Sequence, residues 1–147
     1  MSKFTDKRSI YRIIDANINR LKEGLRVSEE ITRFILDNRT LTKALKDIRH
    51  RVDALAKALP PKKLLVACRC SCEDIGRTLT NKGEITRKNL SDIFFANIQR
   101  AKESVRVLEE FTKLEDPKVS RSFKDIRYRI YELEKNVTKK IAALRNR

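Results

Sequence analysis

The feature that most constrains the fold is a stretch of fifteen residues that occurs twice in almost the same form. ANINRLKEGLRVSEE begins at Ala16, and ANIQRAKESVRVLEE begins at Ala96, an offset of eighty residues. When residues 14–34 are set against residues 94–114, eleven of the twenty-one positions are identical. The sequence therefore predicts a structural unit, a pair of helices, that is used twice.

A second repeated motif and two proline sites place this unit on four long helices. KDIRHR at residues 46–51 returns as KDIRYR at residues 124–129. Pro60-Pro61 is expected to end the second helix, and Asp116-Pro117 to supply the N-cap and first-turn proline of the fourth. The predicted long helices cover about 8–36, 40–58 and 86–114, and from 117 nearly to the chain end.

The predicted fold class is all-α, with the four long helices arranged as two repeated helical hairpins. The connector at residues 59–85 contains two of the three glycines and shows no helical period, so it predicts a crossover loop with room for one short helix. The chain is expected to form one domain, 1–147, with repeat one at 8–58 and repeat two at 86–145. Two long hairpins joined by one crossover are typical of a four-helix bundle.

The composition favours long helices, an intracellular setting and an anionic partner. Three glycines and three prolines are too few for many strands and turns. MSKFTDKRS has no apolar h-region, and the longest apolar run, Leu64 to Cys68, is too short to cross a bilayer, so we expect neither signal peptide nor membrane span. Without an export signal, the three cysteines of CRCSC are expected to be reduced thiols in the cytoplasm. The net charge, 35 − 20 = +15, suits nucleic acid, acidic lipid or a phosphorylated small molecule.

Each copy of the repeat places polar side chains on the apolar face of its helix. At about 100° per residue, Asn17 and Arg20 fall within the apolar arc, and Asn97 and Arg100 interrupt the second copy in the same way. A buried arginine is costly unless it is paired. The carboxylates within reach are Glu23, Glu30, Glu103, Glu110, Asp47 and Asp125. Two interpretations stay open: a satisfied polar network that fixes the register of the bundle, or a binding site at its centre.

The two copies differ at positions that carry chemistry. The first has Asp15, Arg33 and His50 where the second has Phe95, Lys113 and Tyr128. A symmetric binding surface would keep the acid and the imidazole in both copies. An active site that acts on one bond needs them in one copy only. The differences therefore favour an active site, although His50 taken alone is more simply a surface or capping residue.

Several polar blocks follow, in order, the pattern of a known family. They are DANINRLKEGLRVSEEITRFIL, LKDIRHRV, CRCSCEDIG, the pair Glu84…Arg87, and ANIQRAKESVRVLEEFTK. From about Tyr11 to Glu134 the chain resembles the small all-helical hydroxymethylpyrimidine phosphate kinase family, which occurs alone or fused to the N-terminus of thiamine-phosphate synthase. The resemblance implies transfer of the ATP γ-phosphoryl group to 4-amino-5-hydroxymethyl-2-methylpyrimidine phosphate in thiamine biosynthesis. Where the family has Arg-Asp, this chain has Arg69-Cys70.

Phosphoryl transfer depends on positioning and on neutralisation of charge. The sequence has no GxxxxGK and no Gly-rich nucleotide loop, so side chains would have to hold the phosphates. The candidate phosphate-binding arginines are Arg20, Arg26, Arg69, Arg100 and Arg106, because the guanidinium fork binds two phosphate oxygens at once. Asn17 and Asn97 are candidates for hydrogen bonds to the pyrimidine or a phosphate, and Glu23, Glu103 and Asp74 for Mg²⁺ ligands. The candidate catalytic residues are Asp15 or His50, to orient the attacking group, and Arg100, whose replacement is expected to abolish transfer.

Two other function classes stay open beside a kinase that uses ATP and a small-molecule phosphate. A nucleic-acid binder would carry a basic stripe on one exposed face, but here acids are interleaved with bases and there is no Trp. A non-catalytic helical module that docks on a thiamine-pathway enzyme such as thiamine-phosphate synthase would show no turnover; a homo-oligomer also stays open. CRCSC with His50 lacks the usual zinc spacing, so Cys68, Cys70 and Cys72 are predicted to be ordinary thiols.

Overall fold

The computed structural model describes residues 6–145 of the chain. Helix of all types accounts for 81% of these residues, with six α-helices, and no strand occurs among them, so the all-α part of the prediction is confirmed. None of the helices in this range has the length and apolar character that a membrane crossing requires. The ends of the predicted 1–147 domain, residues 1–5 and 146–147, lie outside the described residues.

Four long helices and two short ones follow one another along the chain. Helix α1 is Lys7–Glu30, α2 is Arg39–Ala56, α3 is Lys62–Ala67, α4 is Lys82–Ile85, α5 is Leu90–Phe111 and α6 is Pro117–Arg145. A π-helical turn at Ile31–Ile35 extends α1, and 3₁₀ turns lie at Ser71–Glu73 and Thr112–Leu114. The long helices begin and end close to their predicted bounds. The connector differs from the prediction, because it holds two short helices where room for one was expected.

Polar side chains and prolines set the ends of the long helices. The side chain of Asn38 accepts a hydrogen bond from the backbone N–H of Leu41 at 2.9 Å, which caps α2. Asp116 accepts from the backbone N–H of Lys118 at 2.9 Å, as expected for the residue before the first-turn proline of α6. Helix α2 ends shortly before Pro60-Pro61, because proline cannot continue the helical hydrogen bonds.

The long helices close into a four-helix bundle. Two ion pairs join the helices of each hairpin, and in both hairpins a later residue of the first helix pairs with an earlier residue of the second. The pairs are Lys22–Asp53 and Glu29–Arg49 between α1 and α2, and Lys102–Glu134 and Glu109–Arg127 between α5 and α6. Each pair of helices is therefore antiparallel. Because α1 also packs against α5 and α2 against α6, the helices form a ring in the order α1, α2, α6, α5 around a core whose largest side chains are Phe94 and Phe123.

Helices α1 and α5 approach closely at Gly24. A Cβ atom at this position would lie 2.6 Å from the backbone oxygen of Asn97 and 3.3 Å from the Cβ of Ala101. Carbon atoms do not approach a backbone oxygen so closely, so any larger residue would push the helices apart. The absence of a side chain at Gly24 thus lets the two copies of the repeated stretch pack directly on each other.

The buried face of α1 is rotated about the helix axis relative to the face that its apolar residues predict, away from Arg20 and toward Glu29. Arg20 and Arg100, which the pattern places on the apolar face, are exposed, and Glu29 and Glu109 are buried instead. Measured from Asn17 at about 100° per residue, Arg20 lies at about 300° and Glu29 at about 120°. Because α1 packs against α2 as well as α5, its buried arc is centred between those two helices. Arg20 is left at the edge of the arc, where a long side chain reaches solvent.

Glu29 and Glu109 each bind an arginine of the next long helix. Arg49 Nε donates to Glu29 Oε2 at 2.9 Å, and Arg127 Nε donates to Glu109 Oε2 at 2.8 Å. Burial raises the pKa of the Glu109 carboxyl, but the hydrogen bonds and charges of Arg127 and Arg106 outweigh this effect and hold the pKa below its ordinary value. The second hairpin therefore contains a buried carboxylate that stays charged.

The two aspartates that the sequence placed within reach of the arginines predicted to be buried, one on the second helix of each hairpin, do not point inward. Asp47 pairs with Lys43 at 2.6 Å, and Asp125 lies 4.0 Å from Arg51; both carboxylates are exposed. The arginine two positions later in each KDIR motif points inward instead. Two residues correspond to about 200° on a helix, so only one of the two side chains can face the partner helix.

Candidate functional site

A cavity of about 540 Å³ opens between the N-terminal half of α1 and the connector. We call it the arginine cavity, because Arg12, Arg20 and Arg69 line it. Its other lining residues are Ser9, Ile13, Asp15, Ala16, Asn17, Asn19, Cys70, Ser71 and Asp74. Five residues that the sequence singled out therefore meet at one place: Asp15, Asn17, Arg20, Arg69 and Asp74.

Two local features of the sequence build the walls of the arginine cavity. On α1, Arg12, Ala16 and Arg20 follow at intervals of four residues, which places them on one face of the helix, and the small Ala16 leaves space between the arginines. After α3, a 3₁₀ turn leads the chain back so that Asp74 faces α1 across the cavity. Arg12 was missed by the sequence reasoning, although its four-residue spacing from Arg20 was an available signal.

An ion pair joins α1 to the connector at the wall of the arginine cavity. Arg69 Nε donates to Asp15 Oδ2 at 2.5 Å, and Arg69 Nη2 donates to Asp15 Oδ1 at 2.8 Å. Asp15 is only 7% exposed, whereas the side chain of Arg69 is 40% exposed. The hydrogen bonds to Asp15 raise the pKa of Arg69. Arg69 Nη1 has no acceptor within residues 6–145, so this charged group is free to bind a ligand.

Asn17 and Asn97 occupy matched positions, and each donates its side-chain amide to the backbone of its own helix. Nδ2 of Asn17 donates to the backbone oxygen of Ile13 at 2.8 Å, and Nδ2 of Asn97 donates to that of Ile93 at 2.8 Å. Asn17 is buried and lines the arginine cavity, whereas Asn97 is half-buried and lies outside it. Only Asn17, through Oδ1, is therefore placed to contact a ligand in this cavity.

A second cavity, of about 480 Å³, shares part of its wall with the first. We call it the proline cavity, after Pro60 and Pro61. Its other lining residues are Asp15, Ile18, Asn19, Lys22, Asp53, Ala56, Lys57, Leu59, Lys62, Leu65 and Arg69. Asp15, Asn19 and Arg69 line both cavities, so the Asp15–Arg69 pair stands at the boundary between them.

Seven of the predicted site residues lie outside both cavities: Glu23, Arg26, His50, Asn97, Arg100, Glu103 and Arg106. Two of them support the buried carboxylates of the bundle. Arg26 Nη1 lies 3.6 Å from Glu29 Oε1, and Arg106 Nη1 lies 3.1 Å from Glu109 Oε1. The residues that line the arginine cavity come from α1 and the connector, so the second copy of the repeat contributes none of them.

The predicted magnesium ligands are dispersed. Within residues 6–145, no group of three or more His, Cys, Asp or Glu side chains is placed to hold a metal ion. Glu23 and Glu103 are exposed outside the cavities, but Asp74 lines the arginine cavity. Asp74 Oδ1 accepts from the backbone N–H of Gly76 at 2.8 Å, which leaves Oδ2 for a ligand. One carboxylate is compatible with a magnesium ion whose other ligands are water and substrate phosphates.

The three cysteines of the connector are free thiols. Cys70 lines the arginine cavity, and its Sγ donates to Glu73 Oε2 at 3.2 Å. The hydrogen bond to Glu73 raises the pKa of the Cys70 thiol. The thiol is therefore protonated at neutral pH, and in that state it is a weak nucleophile.

Comparison with known proteins gives a consistent result across most of the chain. A family model described as the ThiD2 family matches residues 12–136. Relatives named thiamine-phosphate synthase are 42% identical over 128 residues in Synechocystis sp., 41% over 128 residues in Nostoc punctiforme and 35% over 142 residues in Rhodopirellula baltica. These matches cover 86%, 87% and 97% of this chain but only 35%, 35% and 38% of the relatives, so the chain spans about a third of their length. No solved structure matches the chain.

Proposed function

The chain belongs to the ThiD2 family, and from that membership we propose that it acts in thiamine biosynthesis as an ATP-dependent kinase. The proposed acceptor is 4-amino-5-hydroxymethyl-2-methylpyrimidine phosphate, whose phosphate becomes a diphosphate. The order of the polar blocks, which resembles the small hydroxymethylpyrimidine phosphate kinases, supports the reaction. The names of the relatives support the pathway, because they are thiamine-phosphate synthases that this chain matches over about a third of their length.

The proposed reaction requires charge neutralisation more than proton transfer. An oxygen of the acceptor phosphate attacks the γ-phosphorus of ATP, and the bond from that phosphorus to the β,γ-bridging oxygen breaks to release ADP. A phosphate monoester with a second pKa of about 6 is largely dianionic at neutral pH, so the attacking oxygen needs no general base. This removes the need for His50, which is exposed on α2. The repulsion between two anionic phosphates is the barrier that the protein must lower.

The observation that carries the proposal is the convergence of three arginines on one cavity. Arg12 and Arg20 form no ion pair with any described residue, and Arg69 keeps Nη1 free beside its bond to Asp15. Three guanidinium groups on one cavity repel one another, and a bound polyanion relieves that repulsion. A volume of about 540 Å³ falls within the range of small-molecule binding sites.

The remaining cavity residues receive supporting roles in the proposal. Asp15 is a positioning residue, because it holds Arg69 through two hydrogen bonds. Asn17 offers Oδ1 as an acceptor. Asp74 is the residue that would hold Mg²⁺ together with substrate phosphates, and the ion would neutralise phosphate charge. Cys70 stands where the resembled family has an acid. Its protonated thiol lines the cavity as a neutral group and does not act as a second metal ligand.

We also propose that the two helical hairpins are copies of one ancestral unit. The support is the repeated sequence together with equivalent hydrogen bonds in the two halves. Arg49 Nη2 donates to Glu29 Oε1 at 3.4 Å, and Arg127 Nη2 donates to Glu109 Oε1 at 3.3 Å, beside the matching Nε bonds already described. On this proposal the first hairpin has become the catalytic one, since α1 and the connector supply the arginine cavity.

A coupled assay tests the proposed reaction. The mixture contains MgATP, the pyrimidine phosphate, thiamine-phosphate synthase and the thiazole phosphate, and the readout is thiamine phosphate. We expect product only when this chain is present. Failure of the unmodified chain to yield product above a control without it would contradict the kinase.

Two variants then test the site. Arg20→Gln is expected to lower the rate by about 100-fold, because a neutral amide does not offset phosphate charge. Arg121→Gln changes an exposed arginine of α6 outside both cavities, and its rate should stay within about twofold of the unmodified chain. Equal rates for the two variants would remove the arginine cavity from the reaction.

A further inference from the structure

We propose that the proline cavity binds the amino-substituted heteroaromatic ring of a phosphorylated substrate. The identity of the substrates rests on the proposed kinase function, whereas the ring site rests on the cavity itself. An aminopyrimidine phosphate and ATP both carry such a ring. The experiment at the end of this section distinguishes these two sources.

Apolar side chains form much of the wall of the proline cavity: Ile18, Ala56, Leu59, Pro60, Pro61 and Leu65. Leu59 and Leu65 are 7% and 4% exposed, so packing against the bundle fixes them. The two proline rings are rigid. Rigid apolar walls around about 480 Å³ suit a flat ring, because the ring loses water from its faces without reorganising the site.

Polar groups in the same wall match the substituents of such a ligand. Lys22 Nζ lies 2.6 Å from Asp53 Oδ1, which leaves Asp53 Oδ2 to accept a hydrogen bond from an exocyclic amino group. Lys57 and Lys62 are exposed and form no ion pair with residues 6–145. Their ammonium groups suit a phosphate. A ring that carries an amino group and a phosphate therefore finds a partner for each part.

The matched region of the second hairpin holds a smaller cavity. When KDIRHR is aligned with KDIRYR, Asp53 matches Tyr131 and Pro60 matches Thr138. The Tyr131 hydroxyl accepts from Arg127 Nη1 at 3.2 Å, and α6 continues through Thr138 without a break. The cavity nearby measures about 240 Å³. The first hairpin thus replaces an aromatic side chain by a carboxylate and breaks the helix at the place where the proline cavity opens. The helix break at Pro60 gives up helical hydrogen bonds that α6 keeps, and a ligand site accounts for that difference.

The ring site adjoins the arginine cavity. Asp15, Asn19 and Arg69 line both cavities. A phosphate attached to a ring in the proline cavity therefore has Arg69 as a partner in addition to Lys57 and Lys62, while the phosphates of the second substrate occupy the arginine cavity. Both substrates then have a phosphate beside the same guanidinium group, which brings the two reacting phosphates close to each other, as direct transfer requires.

Calorimetric titration with two separate probes tests the ring site. The probes are the pyrimidine phosphate and adenylyl imidodiphosphate, a non-hydrolysable ATP analogue. Ala56→Trp fills the proline cavity, and the matched control Ala142→Trp fills the smaller cavity of the second hairpin. We expect Ala56→Trp to weaken one probe by about tenfold or more and Ala142→Trp to change either affinity by less than about twofold. The weakened probe identifies the source of the ring, and unchanged affinity for both probes in folded Ala56→Trp overturns the ring site.

A second variant keeps the test decisive if Ala56→Trp does not fold. Asp53→Asn preserves volume and is expected to weaken the same probe by about tenfold with an unchanged helical circular dichroism signal. Unchanged binding of both probes by this variant contradicts the ring site.

The experiments can contradict the ring site without contradicting the kinase function, and the reverse. Binding that depends on Ala56, without thiamine phosphate in the coupled assay, contradicts the kinase and leaves the ring site. Full coupled activity of Ala56→Trp, with an unchanged KM for both substrates, contradicts the ring site and leaves the kinase.

Discussion

Replacement of Gly24 by alanine sets two opposing effects against each other. In the interior of an isolated helix, alanine is about 1 kcal/mol more favourable than glycine. Here the added Cβ would lie 2.6 Å from the backbone oxygen of Asn97, where ordinary contacts begin at 3.4 Å. The atom it meets belongs to a helix backbone, so α1 and α5 must separate by several tenths of an ångström. Overpacking of this kind costs about 1–3 kcal/mol.

Because the contact involves backbone, we take the upper part of that range and expect Gly24→Ala to lower the free energy of unfolding by about 2 kcal/mol. For a chain of this size the melting temperature should fall by about 4–8 °C. Urea and thermal unfolding followed by circular dichroism measure both quantities. Gly83→Ala is the control, since its Cβ would meet only the Asn81 side chain, at 3.3 Å, and the change should stay within about 0.5 kcal/mol. Stabilisation by Gly24→Ala would refute the close packing of α1 on α5.

Three further predictions concern charged and reactive groups. Because the folded-state pKa of Glu109 is lowered, the carboxylate stabilises the fold above the unfolded pKa of about 4.3, and this stabilisation is lost as the pH falls through the folded-state pKa. The acid unfolding of Glu109→Gln, followed by circular dichroism, should lack this contribution to the pH dependence of stability. Arg69→Met leaves the buried Asp15 carboxylate unpaired and should lower the free energy of unfolding by about 1–3 kcal/mol in urea titrations, whereas addition of Asp15→Asn should recover part of this loss. Iodoacetamide at pH 8 should label the exposed Cys72 before Cys70, as mass spectrometry of the peptides can show, and equal rates would contradict the raised pKa of Cys70.

The sequence was sufficient for the long helices because their signals are local. Period, caps and proline breaks act within a few residues, and Pro60-Pro61 and Asp116-Pro117 acted where they were expected. The buried face was misplaced for Arg20 because burial depends on all neighbours of a helix. Part of the contact between α1 and α2 is made by Glu29 and Arg49, which look like surface residues in the sequence.

The candidate site was only partly predictable, for a related reason. Arg20 and Asn17 could be singled out because they break the apolar pattern of α1. The pairing of Asp15 with Arg69, however, joins residues 54 positions apart and depends on how the connector folds back after α3. No local pattern encodes that path. Because the connector folds back onto α1, the arginine cavity forms beside the first hairpin. Arg100, which occupies the position in the second copy that Arg20 occupies in the first, therefore lies outside the cavity.

The most direct test of the central claim is the position of phosphate on the protein. A crystal structure with the pyrimidine phosphate and a non-hydrolysable ATP analogue would locate every phosphorus atom. The arginine cavity predicts phosphate oxygens within hydrogen-bond distance of Arg20 and of Arg69 Nη1. Phosphates bound instead around Arg100 and Arg106 of α5, with the arginine cavity holding only water, would contradict it.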